Sequence, residues 1–200
     1  MDQGFTLWIT GLTGAGKTTL ARLVEERLLE RGLLVEVLDG QEMREIMSPD
    51  SGFTPKEIDA HLTRLMYISA LLNRNGVSSI VAAVSPTKEK RNSIRAQLPA
   101  FIEVFANCPL DVCKQRDGEG FYARAKAGEI VNVAGVDAVY EPPDKPEIEV
   151  FTGRETPEEG AARIIRTLEM LELIPSSPDS EYSEEDEQVI KQRLTDLGYI

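Results

Sequence analysis

The sequence predicts a three-layer α/β fold with a mainly parallel central sheet, on two observations. Short apolar, β-rich runs alternate with longer segments of helical period, and the first run stops at a glycine-rich turn that opens a helix. Residues 5–10, Phe-Thr-Leu-Trp-Ile-Thr, read as a buried central strand that the following glycines end abruptly. Over residues 18–31, Leu20, Leu23, Val24, Leu28 and Leu29 recur at helical spacing, with Gly32 placed as the C-terminal stop. Residues 33–38 give a second strand closing on Asp39-Gly40, and residues 78–84 a third closing on Ser85-Pro86. A long helical pattern over 55–75 lies between these two strands. Residues 100–106 and 148–151 supply two further strands, with helices expected over 110–116 and 157–171. Strands separated by helices imply parallel crossovers.

Two segments depart from this rhythm. Residues 118–143 combine glycines, mixed charge and Pro142-Pro143 in a stretch too long for an ordinary connection, and are read as a lid. Residues 174–182 are rich in proline and serine and read as a linker. Ser183-Glu184-Glu185-Asp186 then resembles a helix N-cap followed by acidic residues that favour the dipole. The division expected is therefore a domain over 1–173, a linker over 174–182 and an acidic helix over 183–200. On that helix Val189, Ile190, Leu194 and Leu197 form an apolar stripe suited to docking on the domain or on a partner.

Composition narrows the classes. With 200 residues, 42% hydrophobic and 28% charged, the chain suits one globular core. A net charge of −12 repels DNA, RNA and anionic membranes. Half of that excess lies from Glu172 onward, where eight acidic side chains meet two basic ones. No stretch approaches the roughly 20 apolar residues of a membrane span, and the first residues lack the basic and apolar regions of a secretory leader, so the expectation is a cytoplasmic protein. Cys108 and Cys113, five residues apart in an apolar setting, suit neither a disulfide framework nor a zinc knuckle and read as reduced core thiols.

The chemistry is concentrated in residues 11–18. Gly11-Leu12-Thr13-Gly14-Ala15-Gly16-Lys17-Thr18 fits G-x-x-x-x-G-K-[ST] and stands between a strand and a helix, the context this phosphate-binding loop needs. Glycines let consecutive backbone N–H groups converge on phosphate oxygens, and the positive end of the following helix adds to the attraction. Lys17 is expected on the β- and γ-phosphates of ATP and Thr18 on Mg²⁺, with Thr19 completing the loop. These residues imply a kinase that passes the γ-phosphoryl group to a small acceptor. In open α/β sheets the ligand crevice lies at the carboxyl ends of the strands, which nominates Asp39 and Ser85. Asp39 reads either as a metal ligand and catalytic base or as a helix cap. Arg44 is a candidate anion clamp, and Arg116, beside the lid, a candidate phosphate ligand. His61, on the long apolar helix, reads as a packing residue.

Several motifs together resemble the adenylyl-sulfate kinase family. They are the loop through Thr19, Leu38-Asp-Gly40, Arg44, Gly52-Phe53, Ser85-Pro86, Asn107-Cys-Pro-Leu-Asp-Val-Cys113 and Arg116-Asp117. Tyr122-Ala-Arg-Ala-Lys-Ala-Gly-Glu-Ile130, Gly135-Val-Asp137 and Tyr140-Glu-Pro-Pro143 follow in the same order and spacing. The likeness runs from about residue 4 to 171. It implies that ATP phosphorylates the 3′-hydroxyl of adenosine 5′-phosphosulfate (APS) to give PAPS, with Mg²⁺ and commonly as a homodimer. It implies Asp39 and Arg44 beside the acceptor, Phe53 against its adenine, Ser85 at the position that carries phosphate in some members, and Arg124 and Lys126 in a basic lid. The departures fall on the acceptor side. The family's Asp-Gly-Asp reads Asp39-Gly40-Gln41; Ile58 and His61 stand where an arginine and an asparagine hold the acceptor; Thr87 replaces an aromatic; and Val131 and Val133 replace a lysine and a stacking phenylalanine. Two alternatives follow: a related kinase acting on another nucleotide-linked or hydroxyl acceptor, and a nucleotide-binding regulatory module. A GTPase is disfavoured by the lack of a clear Asn-Lys-x-Asp guanine reader.

Overall fold

The computed structural model describes residues 3–118, 120–176 and 184–200. Five strands form one parallel sheet: β1 (Thr6–Thr10), β2 (Val35–Asp39), β3 (Ser78–Ala82), β4 (Phe101–Ala106) and β5 (Ile148–Val150), in the spatial order β2-β3-β1-β4-β5. Eight helices occur among the described residues: α1 (Lys17–Glu30), α2 (Gly40–Met47), α3 (Pro55–Asn73), α4 (Lys88–Arg95), α5 (Leu110–Gln115), α6 (Phe121–Lys126), α7 (Pro157–Met170) and α8 (Glu184–Leu197).

The strands read as near-continuous apolar runs because both faces of the sheet are covered. Their two-residue period sends Leu7, Ile9, Ile80, Val104 and Ile148 into the layer formed with α1 and α7. Trp8, Val81, Leu38 and Phe101 point the other way, into the layer with α3 and α4. Trp8 is fully buried on the middle strand; burial of a large side chain like this contributes on the order of 3 kcal/mol. Threonines start α3 and α7: Thr54 and Thr156 each form a reciprocal capping box, with Glu57 and Glu159, followed by a proline in the first turn.

The expected strands and long helices are all present, with ends moved by a residue or two. The third strand stops at Ala82 rather than 84, because the chain turns at Ser85, whose φ of 45° is left-handed. Helix α4 was not expected, α2 was foreshadowed only by the reading of Asp39 as a helix cap, and the lid segment is partly helical through α6. Residues 177–183 of the expected linker and helix cap lie outside the described residues. Helix α8 docks on the domain itself. Ile190 and Leu194 are buried, Leu197 is half-buried, and Val189, expected on the same stripe, is 66% exposed. Cys108 and Cys113 are free and buried, as their spacing suggested. No helix among the described residues is long and apolar enough to cross a membrane.

Candidate active site

The glycine-rich loop leaves the carboxyl end of β1 and feeds directly into α1. Gly14 has φ of 77°, and a Cβ there would stand 2.9 Å from the Cys113 carbonyl oxygen, so position and conformation both require glycine. Helix α1 begins with no side-chain cap and no carboxylate in its first turn. Its first N–H groups and the positive end of its dipole are thus left for an anion. Lys17 Nζ donates to the Leu12 carbonyl at 2.8 Å, which lays the ammonium across the loop. Burial lowers its pKa to about 8, with Asp39 pulling the other way.

Asp39, at the end of β2, is the helix cap that its sequence position allowed, and it keeps one oxygen free of that task. Its Oδ1 caps α2 by accepting from the backbone N–H of Gln41 at 2.8 Å and of Glu42 at 3.4 Å. Its Oδ2 accepts from the Thr18 hydroxyl at 2.5 Å. Two hard oxygen donors from different elements therefore stand side by side, the donor type magnesium takes. Among the described residues no group of three or more His, Cys, Asp or Glu side chains makes a metal site by itself. Phosphate oxygens and water would have to complete the shell, as is usual for this ion.

The lid packs on the loop. Asp117 accepts from the N–H groups of Phe121 and Tyr122 and so starts α6. This aims the buried Tyr122 hydroxyl at the Thr13 carbonyl, 2.7 Å away. Further on, Gly135 passes so close to Leu12 that a Cβ would stand 3.2 Å from Leu12 Cδ2. The turn there is held by Asp137, whose carboxylate accepts from Asn132 and Val133 N–H at 2.8 and 2.6 Å. Val133 is buried in the core with Leu12 and Leu110, whereas Val131 is 55% exposed.

Of the residues expected at the acceptor, Arg44 and Phe53 come together: the guanidinium lies over the ring at 4.7 Å and donates to the Gly52 carbonyl at 2.8 Å. Glu57 fixes the intervening loop by accepting from the N–H groups of Gly52 and Thr54. His61 is buried, and its Nε2 donates to the Gly40 carbonyl at 2.9 Å. Burial first, and the positive charge of Arg44 second, push its pKa down to about 4, so it is a neutral packing residue that steadies the start of α2.

Other nominated residues fall elsewhere. Ser85 is 1% exposed, and its hydroxyl accepts from the Trp8 indole at 2.9 Å, so it is not presented to a ligand in this structure. Arg116 donates to the Thr152 carbonyl at 2.7 Å and to Cys108 Sγ at 3.7 Å, at the ends of β5 and β4. Lys126 and Arg124 project from α6 into solvent, Arg124 beside Glu129. Gly11 and Ala15 are buried in the loop, while Thr18 and Thr19 are exposed at the start of α1. The sequence reading did not single out the Tyr122 to Thr13 bond. It named Tyr140 only within a motif and gave it no contact; the hydroxyl pairs with Thr10 at 2.9 Å at the end of β1. Both are long-range contacts with no local pattern to announce them.

A parallel sheet with a phosphate loop after its middle strand, a carboxylate at the neighbouring strand end and a lid over the loop defines a P-loop kinase. Comparison with known proteins narrows this class. The pattern of the family described as "Adenylylsulphate kinase" matches residues 3–151. The adenylyl-sulfate kinase of Rippkaea orientalis is 45% identical over 170 residues, covering 85% of this chain and 94% of that protein. A probable bifunctional SAT/APS kinase of Sorangium cellulosum is 45% identical over 173 residues, 86% of this chain, which spans only 30% of the bifunctional protein. The structure of a Mycobacterium tuberculosis APS kinase in complex with AMPPNP and APS superposes with a TM-score of 0.80 at 37% identity, covering 84% of this chain and 99% of that one. The chain belongs to the adenylylsulphate kinase family.

Proposed function

We propose that this protein transfers the γ-phosphoryl group of ATP to the 3′-hydroxyl of APS, giving ADP and PAPS. The observation that carries the reading is the convergence of Lys17, the open start of α1 and the Thr18–Asp39 pair at one end of the sheet, in a chain of this family. The acceptor oxygen forms the new bond to the γ-phosphorus, the bond to the β,γ-bridging oxygen breaks, and that electron pair leaves with ADP. Lys17 meets the negative charge that builds on the leaving group. Asp39 Oδ2, with its partner oxygen held by the α2 N–H groups, is placed to take the hydroxyl proton or to orient Mg²⁺ through Thr18. Magnesium, when bound, neutralises charge on the phosphate oxygens.

Arg44 and Phe53 supply a cationic and an aromatic surface for the acceptor, and Lys126, with Arg124, gives the lid positive charge. Tyr122 and Asp117 shape the lid for closure over both ligands. A cytoplasmic place in sulfate activation and a homodimer belong to this reading. Val133, turned into the core, and Gln41, in place of a carboxylate, favour a second reading in which a different nucleotide-linked hydroxyl is the acceptor. Calorimetric titration of APS, adenosine 5′-phosphate and other adenine nucleotides into the ADP-loaded protein separates the two. Micromolar binding of APS alone supports the first reading, and selection of another ligand overturns it.

A further inference from the structure

Helix α8 lies outside the residues that the family pattern matches; apart from the Glu187–Arg166 pair with α7, its polar contacts with the domain among the described residues fall on the 147–149 stretch. Arg193 donates to Glu149 on β5 at 3.0 Å, and the Tyr199 hydroxyl donates to Glu147 at 2.8 Å. Leu197, Gly198 and Tyr199 face segment 143–147 across a cavity of about 400 Å³. This is the stretch by which the lid returns to the sheet.

Glu147 does not end the chain of contacts. Its two oxygens accept from Arg95 at 2.6 and 2.8 Å, and Oε2 also accepts from the Glu103 N–H at 2.7 Å. The Glu103 carboxylate accepts from Arg95 at 3.3 Å and from Arg91 Nε at 2.8 Å. Arg91, 2% exposed, donates with one terminal nitrogen to the Ser85 carbonyl and with the other to the Glu141 carbonyl, each at 2.6 Å. One guanidinium thus joins the left-handed turn after β3 to the last residues of the lid. The join is reinforced by Glu141 N–H to the Pro86 carbonyl at 2.9 Å and Lys88 N–H to the Glu141 carboxylate at 2.7 Å. Buried networks of this kind have few alternative arrangements, because each carboxylate or guanidinium left unpaired is costly.

We propose that α8 is a positioning element for the lid. Tyr199 and Arg193 hold the 147–149 stretch, and the Glu147–Arg95–Glu103–Arg91 network passes that constraint to the Ser85 turn and to Glu141. The helix acts through these residues and touches neither nucleotide nor acceptor. The inference rests on the kinase reading only in giving the lid a purpose; the contacts themselves do not depend on which acceptor is used.

The test is hydrogen exchange on the full chain, free of ligands, comparing the unaltered protein with Tyr199→Phe, Arg193→Ala and their double variant. Loss of charge-assisted hydrogen bonds at the helix is expected to speed exchange at the Glu141 and Lys88 amides by about threefold to tenfold, with β1 amides unchanged. Lys191→Ala, which removes only the exposed pair with Glu187 on the same helix, should leave those amides as they are. Faster exchange confined to α8 and β5, no change, or an equal effect of Lys191→Ala overturns the proposal. Steady-state kinetics add a second readout. With nucleotide-binding sites counted by calorimetry, the double variant should lose at least threefold in kcat per site with KM for ATP unchanged, whereas a merely structural role would lower the number of sites and leave kcat per site as it is. The exchange measurement needs no acceptor, so failure of the acceptor assignment and failure of this inference are separate results.

Discussion

At Lys17 two opposed effects set the protonation state: burial lowers the pKa to about 8, and Asp39 limits the fall. The ammonium is therefore charged at neutral pH and loses its proton as pH rises through about 8 in the free protein. Bound phosphate favours the charged form, so nucleotide binding takes up a proton above that point. ATP affinity should then fall by up to about tenfold per pH unit between pH 8.5 and 9.5. Calorimetry in buffers of different ionisation enthalpy reads the proton uptake directly, and a flat profile across that window would contradict the assignment. Asp39 allows a cleaner separation of roles, because asparagine caps a helix as well as aspartate does. Asp39→Asn should keep the melting temperature within about 3 °C while kcat falls by about 10²–10⁴, the range for loss of a general base or a metal-orienting carboxylate. A large thermal shift with near-normal kcat would make Asp39 only a cap. The sequence left its two roles open because the same Asp-Gly step serves both; the structure shows Oδ1 spent on the cap and Oδ2 on the Thr18 hydroxyl.

Among the elements, the lid and α4 show where the sequence was least legible. Helix α4 carries six polar or charged residues before its one buried apolar side chain, Ile94, so no apolar period marks it. What holds it is buried polar pairing through Arg91, a partnership between residues far apart in the chain. Helix α6 is a single short element started by Asp117 and Gly120, and the glycines that read as irregular lid are in part its boundary. The strands and long helices were legible because burial on both sheet faces leaves continuous apolar runs and helix-period apolar positions in the sequence. The tie between α6 and the phosphate loop gives a test at this scale. Tyr122→Phe leaves the Thr13 carbonyl without its 2.7 Å partner while keeping the ring in the core. The loss of about 1 kcal/mol should weaken ATP binding about fivefold with the fold intact, as read by calorimetry and circular dichroism. Unchanged affinity would mean that the lid does not organise the loop.

Over the whole molecule, the alternating pattern implied parallel strands, but their order lay outside it. Strand β3 enters between β1 and β2, a choice made by packing of α1 and α3 on opposite faces rather than by any local motif. The phosphate loop was legible for the opposite reason: its chemistry needs a fixed spacing of glycines, lysine and threonine within one turn of chain. Arg44 and Phe53 were nominated from the sequence, but the stacking of one on the other and the bond of His61 to the Gly40 carbonyl form only in three dimensions. The same long-range polar network that joins the halves should dominate stability. Arg91→Ala would leave the Glu103 carboxylate, whose pKa burial already raises, with only the longer Arg95 contact and would free the Ser85 and Glu141 carbonyls; it should cost about 3–5 kcal/mol, lowering the melting temperature by roughly 10 °C. A shift below about 2 °C would show the network to be incidental. The central claim is the reaction itself, and the most direct measurement follows ADP and PAPS together with purified protein, Mg²⁺-ATP and APS, beside Lys17→Ala. The account predicts one PAPS for each ADP, with the variant slowed by at least about 10³. ADP formation without PAPS, or turnover that survives Lys17→Ala, would contradict it.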